Sequence, residues 1–482
     1  MGQLQTIAKN STALFVSQIL SYILVFFYIL YMARYLGAEG FGILSLAISL
    51  TGIFGILVDM GLSTLMIREL ARDRSRTSKF ISNTVLMKII LTFLVWGLLS
   101  IFVNLAGYPE LVKNVVYLVY LSVIVNSFSL IFSALMQAEE KMEYVSLSSI
   151  LTSVVMLSGT LVGIYYALDI LYFAALYIIA NSLNFLYLFL VYLWKFNIPK
   201  IEVDFSFWKP TLKEAWPFGF TGLSGSLYTY VDSIILSLIQ GNLVVGWYSA
   251  AYRLILITLF IPNAVNMSIF PVMSRLYESS HDSLMLIYER YFKYMLILGI
   301  PLGFGTTLLA KQIISLVFGA DFAPAVIALQ ILIWTIVFTF AGATFVQILQ
   351  SINRQLLITK ISVMCLIINV ILNLILIPRY SYVGASVATV ITEIVLVSYI
   401  VHTTFQLGYT VDSKKFMKII LKVLIGSLVM SAFLWYFPGL NLLLLVILAS
   451  SLYLVVIYLL KTFDEVDKKL LRQLLGKSEE AP

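Results

Sequence analysis

Five ionisable residues lie deep inside long apolar stretches of this sequence. They are Asp59, Lys88, Asp232, Arg253 and Glu393. An ionisable group surrounded by hydrocarbon costs about 2.5 kcal/mol or more, so each of these residues is a candidate for function until a structural role accounts for it. Their types suit three kinds of chemistry, which are binding an anion, binding a cation and exchanging a proton.

Arg253 is the strongest candidate for binding an anionic group. A guanidinium grips phosphate oxygens in a bidentate fork, and it keeps its charge at every physiological pH. Asp232 lies shortly before a glycine-rich turn, and Arg253 lies at a similar distance after it. We therefore expect Asp232 to pair with Arg253 at one depth, where a substrate anion would compete for the arginine.

Asp59 and Lys88 flank a basic loop in the same way. At a rise of 1.5 Å per residue, both lie roughly 13 Å from that loop on neighbouring helices, so an ion pair between them is possible. One interpretation makes both of them substrate-binding residues. In the alternative, the pair only locks two helices together, or Lys88 extends its ammonium group towards the membrane surface.

Glu393 has no charged residue nearby in the sequence that could neutralise it. A buried carboxylate of this kind is a candidate site for a coupling proton or sodium ion. The alternative is that the carboxylate only accepts hydrogen bonds from the neighbouring hydroxyls of Thr389 or Thr392. No His, Cys, Asp or Glu cluster with metal-ligand spacing is apparent, and we expect no metal and no cofactor.

The composition identifies the elements that hold these residues as membrane helices. Of the 482 residues, 61% are hydrophobic and only 11% are charged, whereas soluble proteins carry roughly 25% charged residues. The mean hydropathy is +0.99. Apolar runs of about 20 residues recur along the chain, which suits helices that cross a bilayer. Alternation over ten-residue segments is absent, which excludes a β-barrel. The single cysteine, Cys365, is expected to be a small core residue.

We count fourteen candidate spans in an all-α polytopic membrane protein. The first is too long for a signal peptide and is expected to be retained. The residues after 460 could add a short amphipathic helix. The spans are 12–33, 41–67, 80–106, 113–136, 144–168, 171–194, 214–239, 247–273, 291–317, 324–350, 356–377, 382–406, 417–437 and 440–460.

Charge in the loops predicts the orientation of the chain. If fourteen helices alternate in direction, about 25 of the 31 lysines and arginines fall on one side of the membrane. The positive-inside rule places that side in the cytoplasm, together with both termini. The net charge of +7 therefore reflects topology, and no basic stretch suggests a nucleic-acid partner.

A glycine motif occurs twice and indicates an internal repeat. "GAEGFGILSLA" begins at Gly37 and "GNLVVGWYSAA" begins at Gly241, and both follow the pattern G-x-x-x-x-G-x-x-S-x-A. Each lies at the turn after a first helix, so we expect parallel repeats around an axis along the membrane normal. The predicted parts are a six-helix lobe over 1–195, a cytoplasmic linker over 196–213, a second six-helix lobe over 214–408, and helices 13 and 14 with a tail over 409–482.

The sequence resembles the polysaccharide flippases of the multidrug/oligosaccharidyl-lipid/polysaccharide exporter superfamily. The resemblance rests on "RYLGAEGFGILSLA", "VDMGLSTLMIREL", "YVDSIILSLIQGNLVVGWYSAAYRL", "IPNAVNMSIFPVMSRL" and "NVILNLILIPRYSYVGASVATVITE". It implies two helix bundles around a central cavity, alternating access, and an oligosaccharide on a polyprenyl (pyro)phosphate as the substrate. It also implies that helix 8 lines the cavity. The first two spans hold no arginine in their interior, so a cluster of cavity arginines is not implied.

The resemblance further implies a multi-pass protein of the cell membrane that supplies cell-surface polysaccharide biosynthesis. Its expected partners are the lipid-linked oligosaccharide, membrane lipids and a coupling proton or sodium ion, with glycan-assembly enzymes as further candidates. An ion-coupled drug or cation antiporter of the same superfamily is the alternative, since Asp59 would suit one. A membrane glycosyltransferase or polymerase would need a large polar loop, and we do not expect an enzyme.

Overall fold

The computed structural model describes residues 3–196, 200–464 and 467, and for residues 3–16 it describes the backbone only. The described residues form α-helices joined by short turns. Two 3-10 turns, Arg74–Arg76 and Ala320–Phe322, interrupt them. The helices are α1 Gln3–Asp59, α2 Leu62–Arg72, α3 Thr77–Leu105, α4 Glu110–Ala138, α5 Met142–Tyr165, α6 Ile170–Lys195, α7 Phe205–Gln240, α8 Asn242–Thr258, α9 Phe260–Ser279, α10 His281–Val317, α11 Ala325–Ser351, α12 Gln355–Gln406, α13 Ser413–Tyr436 and α14 Leu442–Leu459.

The residues group into two compact units. The first unit holds residues 1–250, 318–322 and 366–385, and the second holds 251–317, 323–365 and 386–482. Helices α1 to α7 therefore lie in the first unit and α13 and α14 in the second. The predicted lobe boundaries stay a prediction. Within the predicted linker, α7 already begins at Phe205, and the predicted amphipathic tail helix lies largely outside the described residues.

Twelve helical stretches of the described chain are long and apolar enough to cross a membrane. Two of them are interrupted by a single residue with non-helical backbone angles. In α1 this residue is Gly37, at φ 67° and ψ 179°, and in α12 it is Ser381, at φ 54°. Each interruption falls between two of the fourteen predicted spans, so twelve stretches and fourteen spans describe the same helices. The all-α membrane fold is confirmed, while the count of fourteen and the orientation stay predictions.

The repeated glycine motif adopts the same backbone conformation in both copies. Gly241 ends α7 at φ 86° and ψ 175°, close to the angles of Gly37. Only glycine reaches this positive-φ region with little strain. The motif therefore breaks the helix at one defined residue in each repeat, as its sequence predicted.

The second glycine of each motif packs against the other repeat. Both of these glycines lie in the first unit. A Cβ added to Gly42 would lie 1.9 Å from the Asn242 carbonyl oxygen, and one added to Gly246 would lie 1.9 Å from that of Ala38. The motif offset of 204 residues relates Gly42 to Gly246 and Ala38 to Asn242. The contact is thus reciprocal, as expected at a twofold axis between parallel repeats. We call it the first glycine contact.

A break that the sequence analysis missed lies at the end of α1. The predicted second span runs to residue 67, but α1 ends at Asp59 and α2 starts at Leu62. Met60 and Gly61 both have positive φ, at 45° and 82°. Because two successive residues leave the helical region, the chain turns here, and the prediction of one continuous helix to residue 67 was wrong.

In the second unit, α13 and α14 pack against α10 through a continuous apolar core. Tyr453 of α14 donates a hydrogen bond of 2.7 Å to the Ile297 carbonyl of α10. Many large apolar side chains elsewhere on these helices are exposed, as expected for surfaces that face lipid. Buried core residues include Leu296, Ile300, Val423, Met430, Leu445 and Ile457.

Candidate functional site

The structure brings Asp59 and Lys88 together, as their equal depth predicted. The Lys88 Nζ lies 2.7 Å from Asp59 Oδ1, and the lysine side chain is fully buried. Lys88 also donates to Ser63 Oγ at 3.1 Å and to the Ser127 carbonyl at 2.6 Å. An ammonium group has three N–H donors, so these three oxygens match all of them.

Ser63, in the first turn of α2, completes this cluster. Its hydroxyl donates to Asp59 Oδ1 at 2.5 Å. The pair joins α1, α2, α3 and α4, and its geometry supports the interpretation of Asp59 and Lys88 as a lock between helices.

Asp232 of α7 accepts hydrogen bonds from two neutral side chains. The Tyr248 hydroxyl donates to Oδ2 at 2.7 Å, and Asn373 Nδ2 donates to Oδ1 at 2.6 Å. Asn373 also donates to Asn369 Oδ1 at 2.9 Å. The carboxylate is only 2% exposed, so these bonds replace water around a buried charge. Asn373 lies 141 residues from Asp232 in the chain, so no local sequence pattern predicts this contact.

Glu393 lies on α12 in the second unit and is 8% exposed. Its Oε1 accepts a hydrogen bond of 2.7 Å from Thr339 of α11. Thr392, which the sequence suggested as a neighbouring donor, donates instead to the Ala388 carbonyl at 2.8 Å. A helical threonine readily returns its hydroxyl to the carbonyl four residues earlier, and a hydrogen bond from Thr389 or Thr392 to Glu393 stays a prediction.

Arg253 lies half-buried on α8, the helix that begins at the second glycine motif. It belongs to the second unit, whereas Asp232 belongs to the first. Its ion pair with Asp232 therefore stays a prediction.

Gly61, just before α2, and Gly219 of α7 also pack closely against each other's backbone. Both lie in the first unit. A Cβ on Gly61 would lie 2.5 Å from both the Ala215 carbonyl oxygen and the Gly219 amide nitrogen, and a Cβ on Gly219 would lie 2.6 Å from the Met60 carbonyl. Beside it, Arg68 and Glu214 form an exposed ion pair of 2.6 Å. We call this the second glycine contact. It lies in the N-terminal half of α7, whereas the first contact lies just beyond the C-terminal end of α7.

The segment that leads into α7 is fixed on α3 by one buried amide. Asn83 donates to the Glu202 carbonyl at 2.8 Å and accepts from the Asp204 amide and the Trp208 indole, each at 2.9 Å. Hydrogen bonds from Lys79 and Ser206 lower the pKa of the Asp204 carboxyl to about 2. This segment therefore holds the first turn of α7 in place.

No group of three or more His, Cys, Asp or Glu side chains that could hold a metal ion occurs in the described part of the chain. Cys365 is a fully buried free cysteine, as expected of a core residue.

Comparison with known proteins assigns the chain to a family. A sequence profile described as "Polysaccharide biosynthesis protein" matches residues 7–277, which is more than half of the chain. The chain belongs to this family of polysaccharide biosynthesis proteins. The MatE profile matches residues 217–375 as well.

Two relatives of this polysaccharide biosynthesis protein match it over most of their length. A probable low-salt glycan biosynthesis flippase of Haloferax volcanii is 25% identical over 80% of this chain and 81% of its own. The capsular polysaccharide biosynthesis protein CapF of Staphylococcus aureus is 25% identical over 81% of this chain and 98% of its own.

A solved structure of the lipid II flippase MurJ, in an inward closed conformation, shows the same fold. Its TM-score is 0.75 at 18% sequence identity, and the match covers 96% of this chain and 99% of that one. The chain is therefore a multi-pass membrane protein of this fold.

Proposed function

We propose that this chain flips a polyprenyl-(pyro)phosphate-linked oligosaccharide, or a polysaccharide repeat unit, from the cytoplasmic to the outer leaflet of the cell membrane. The product would supply cell-surface polysaccharide biosynthesis. The relatives provide the substrate class, since one is named a glycan biosynthesis flippase and another a capsular polysaccharide biosynthesis protein. The first glycine contact is the structural observation that supports transport, because two parallel repeats that meet reciprocally can rock about one axis.

Alternating access requires the two repeats to part at one end while the other end stays closed. The first glycine contact joins the start of α8 to the first repeat, and the second joins the N-terminal half of α7 to it. The second contact is the easier one to open, since its ion pair between Arg68 and Glu214 is exposed. Exposed pairs contribute about 0–1 kcal/mol. We assign the opening towards the predicted cytoplasmic side to this second contact.

A cross-link tests this assignment. Cysteines at Arg68 and Glu214, bridged by a short bis-maleimide, should stop transport in reconstituted vesicles. The same reagent on either single-cysteine variant should leave transport unchanged. The native Cys365 is buried and should not react. Normal transport by the bridged protein would contradict an opening at the second glycine contact.

In this proposal Arg253 binds the phosphate of the substrate and Asp232 holds the arginine when no substrate is bound. The hydrogen bonds of Asp232 to Tyr248 and Asn373 hold its carboxylate in one orientation. Asp59 and Lys88, already matched to one another, support the substrate-binding helices without contacting the substrate.

Coupling to a proton or sodium gradient is proposed at Glu393. A carboxylate that is 8% exposed and hydrogen-bonded to a threonine can gain a proton or a cation at little structural cost. Glu393→Gln should remove the dependence of transport on the gradient while the protein remains folded. Unchanged gradient dependence in Glu393→Gln would reduce this residue to a structural role.

Labelling in intact cells tests the predicted orientation on which the direction of transport depends. Glu39 follows the first glycine and is exposed, as is Arg74 in the basic loop. A cysteine at Glu39 should react with a membrane-impermeant maleimide from outside, and one at Arg74 should react only after the cells are opened. Labelling of Arg74→Cys from outside would reverse the orientation.

Antiport of a drug or cation is the second candidate, because the MatE profile matches residues 217–375. Drug resistance conferred on a sensitive host would favour it. Restored surface polysaccharide in a flippase-deficient strain, without drug resistance, would favour the flippase.

A further inference from the structure

A cavity lined by positive charge lies in the second unit, at the start of α13. Its volume is about 190 Å³. We call it the lysine cavity. Its charged lining residues are Glu289, Arg290, Lys293, Lys415, Lys418, Lys422, Lys461 and Asp464.

Acidic partners account for three of the six cations. Arg290 lies 2.5 Å from Asp464 and 2.8 Å from Asp467, and Lys293 lies 2.5 Å from Asp467. Lys415 forms an ion pair with Glu289. Burial alone would raise the pKa of Asp464, but hydrogen bonds from Arg290 and the Asp467 backbone lower it to about 2. The Asp464 carboxylate therefore stays charged near neutral pH.

The other three cations, Lys418, Lys422 and Lys461, have no carboxylate within 4.0 Å among the described residues. The Lys422 ammonium instead donates to the Lys461 backbone carbonyl at 2.9 Å, which holds it at the cavity. Lys418 and Lys422 are four residues apart on α13, and like charges at this spacing destabilise a helix. Three surplus positive charges around one concavity therefore form an arrangement that a bound anion stabilises.

The surroundings of the cavity identify the kind of anion. Met417 and Leu421, the neighbours of Lys418 and Lys422 on α13, are 56% and 51% exposed. An apolar surface thus continues directly from the cationic lining, as a lipid with a charged head and an apolar tail requires. Basic pockets between membrane helices on the cytoplasmic side are known to bind anionic headgroups. Lysines bind phosphate as point charges without needing a fixed geometry.

We propose that the lysine cavity binds the phosphate headgroup of an anionic membrane lipid through Lys418, Lys422 and Lys461. The lipid tail would lie along the exposed apolar face of α13. This site is separate from the proposed substrate path, and the proposal does not depend on the transport function.

Lipid binding is measured on the full chain by native mass spectrometry, with phosphatidylglycerol titrated into protein purified in a neutral detergent. The triple variant Lys418→Gln, Lys422→Gln, Lys461→Gln should bind phosphatidylglycerol at least about tenfold more weakly, since even one lost charge-assisted bond weakens binding by roughly that factor. The control Lys209→Gln, Lys213→Gln, Lys414→Gln removes the same charge from exposed positions outside the cavity. It should stay within about twofold of the wild-type affinity.

Two further ligands distinguish a lipid headgroup from free phosphate as the group that binds. Phosphatidylcholine, whose headgroup is neutral overall, should bind both triple variants and the wild type equally. Inorganic phosphate should compete weakly with phosphatidylglycerol, because it lacks a tail. Equal affinity of the two triple variants for phosphatidylglycerol would overturn the site. Complete displacement of the lipid by inorganic phosphate at matched concentration would overturn its assignment to a lipid. Thermal unfolding of the variants in phosphatidylcholine verifies that they fold.

Discussion

Lys88 in the first unit and the lysine cavity in the second show two ways to hold cations in a membrane protein. Lys88 is fully buried, and three oxygens match its three donors. In the lysine cavity, Lys418, Lys422 and Lys461 have no carboxylate within 4.0 Å in the described part of the chain. A matched cation fixes helices, whereas a surplus cation can bind a ligand. Sequence position alone does not separate the two cases, because both are lysines in or beside apolar helices.

The largest effect is expected when the matched cation is removed. Lys88→Met leaves the Asp59 carboxylate without its counter-charge, and breaking a buried pair costs about 3–5 kcal/mol. The partial exposure of Asp59, at 17%, favours the lower end of that range. The unfolding midpoint in detergent should fall sharply, with reduced membrane levels.

A second variant distinguishes a structural pair from a substrate-binding lysine. Lys88→Met combined with Asp59→Asn removes both charges and should recover most of the lost stability, because well-packed neutral replacements for a buried pair are often tolerated. It should also recover transport. A stable double variant that does not transport would show that Lys88 binds a ligand. The contrast between a structural Lys88 and a ligand-binding lysine cavity would then be wrong.

A smaller loss is expected at the first glycine contact. Gly42→Ala and Gly246→Ala each direct a methyl group at a backbone carbonyl 1.9 Å away, so the two helices must separate. Overpacking of this kind costs about 1–3 kcal/mol. Gly97→Ala is the control, since nothing lies within 4 Å of its added Cβ. In thermal unfolding, Gly42→Ala and Gly246→Ala should lower the midpoint, whereas Gly97→Ala should not. Equal midpoints for all three variants would contradict the reciprocal packing.

The smallest effect is expected from the surplus cations. Replacing Lys418, Lys422 and Lys461 by Gln should change the free energy of unfolding by about 0.5 kcal/mol or less in phosphatidylcholine, as for ordinary surface substitutions. In phosphatidylglycerol the wild type should gain a stability that the triple variant lacks. A loss as large as that of Lys88→Met in neutral lipid would show that these lysines hold the fold.

The sequence predicted what depends on local pattern and on depth. Apolar run length predicted the helices, the repeated glycines predicted the breaks at Gly37 and Gly241, and equal distance from one loop predicted the pair of Asp59 with Lys88. It could not supply partners from distant segments, such as Ser127 for Lys88 or Asn373 for Asp232. It also treated Lys418 and Lys422 as markers of topology, because a charge pattern does not reveal that the side chains surround a cavity.

The central claim is that a cation on α8 binds the phosphate of a lipid-linked oligosaccharide during flipping. The direct measurement is transport of such a lipid in reconstituted vesicles, detected by a reagent that reaches only the sugar on the outer leaflet. Losing one charge-assisted contact of roughly 1.5–3 kcal/mol should slow transport by Arg253→Ala about ten- to a hundredfold. Arg253→Lys should retain part of the activity, because its charge survives without the bidentate fork. The exposed Arg275→Ala control should transport normally. Full transport by Arg253→Ala at normal membrane levels would contradict the claim.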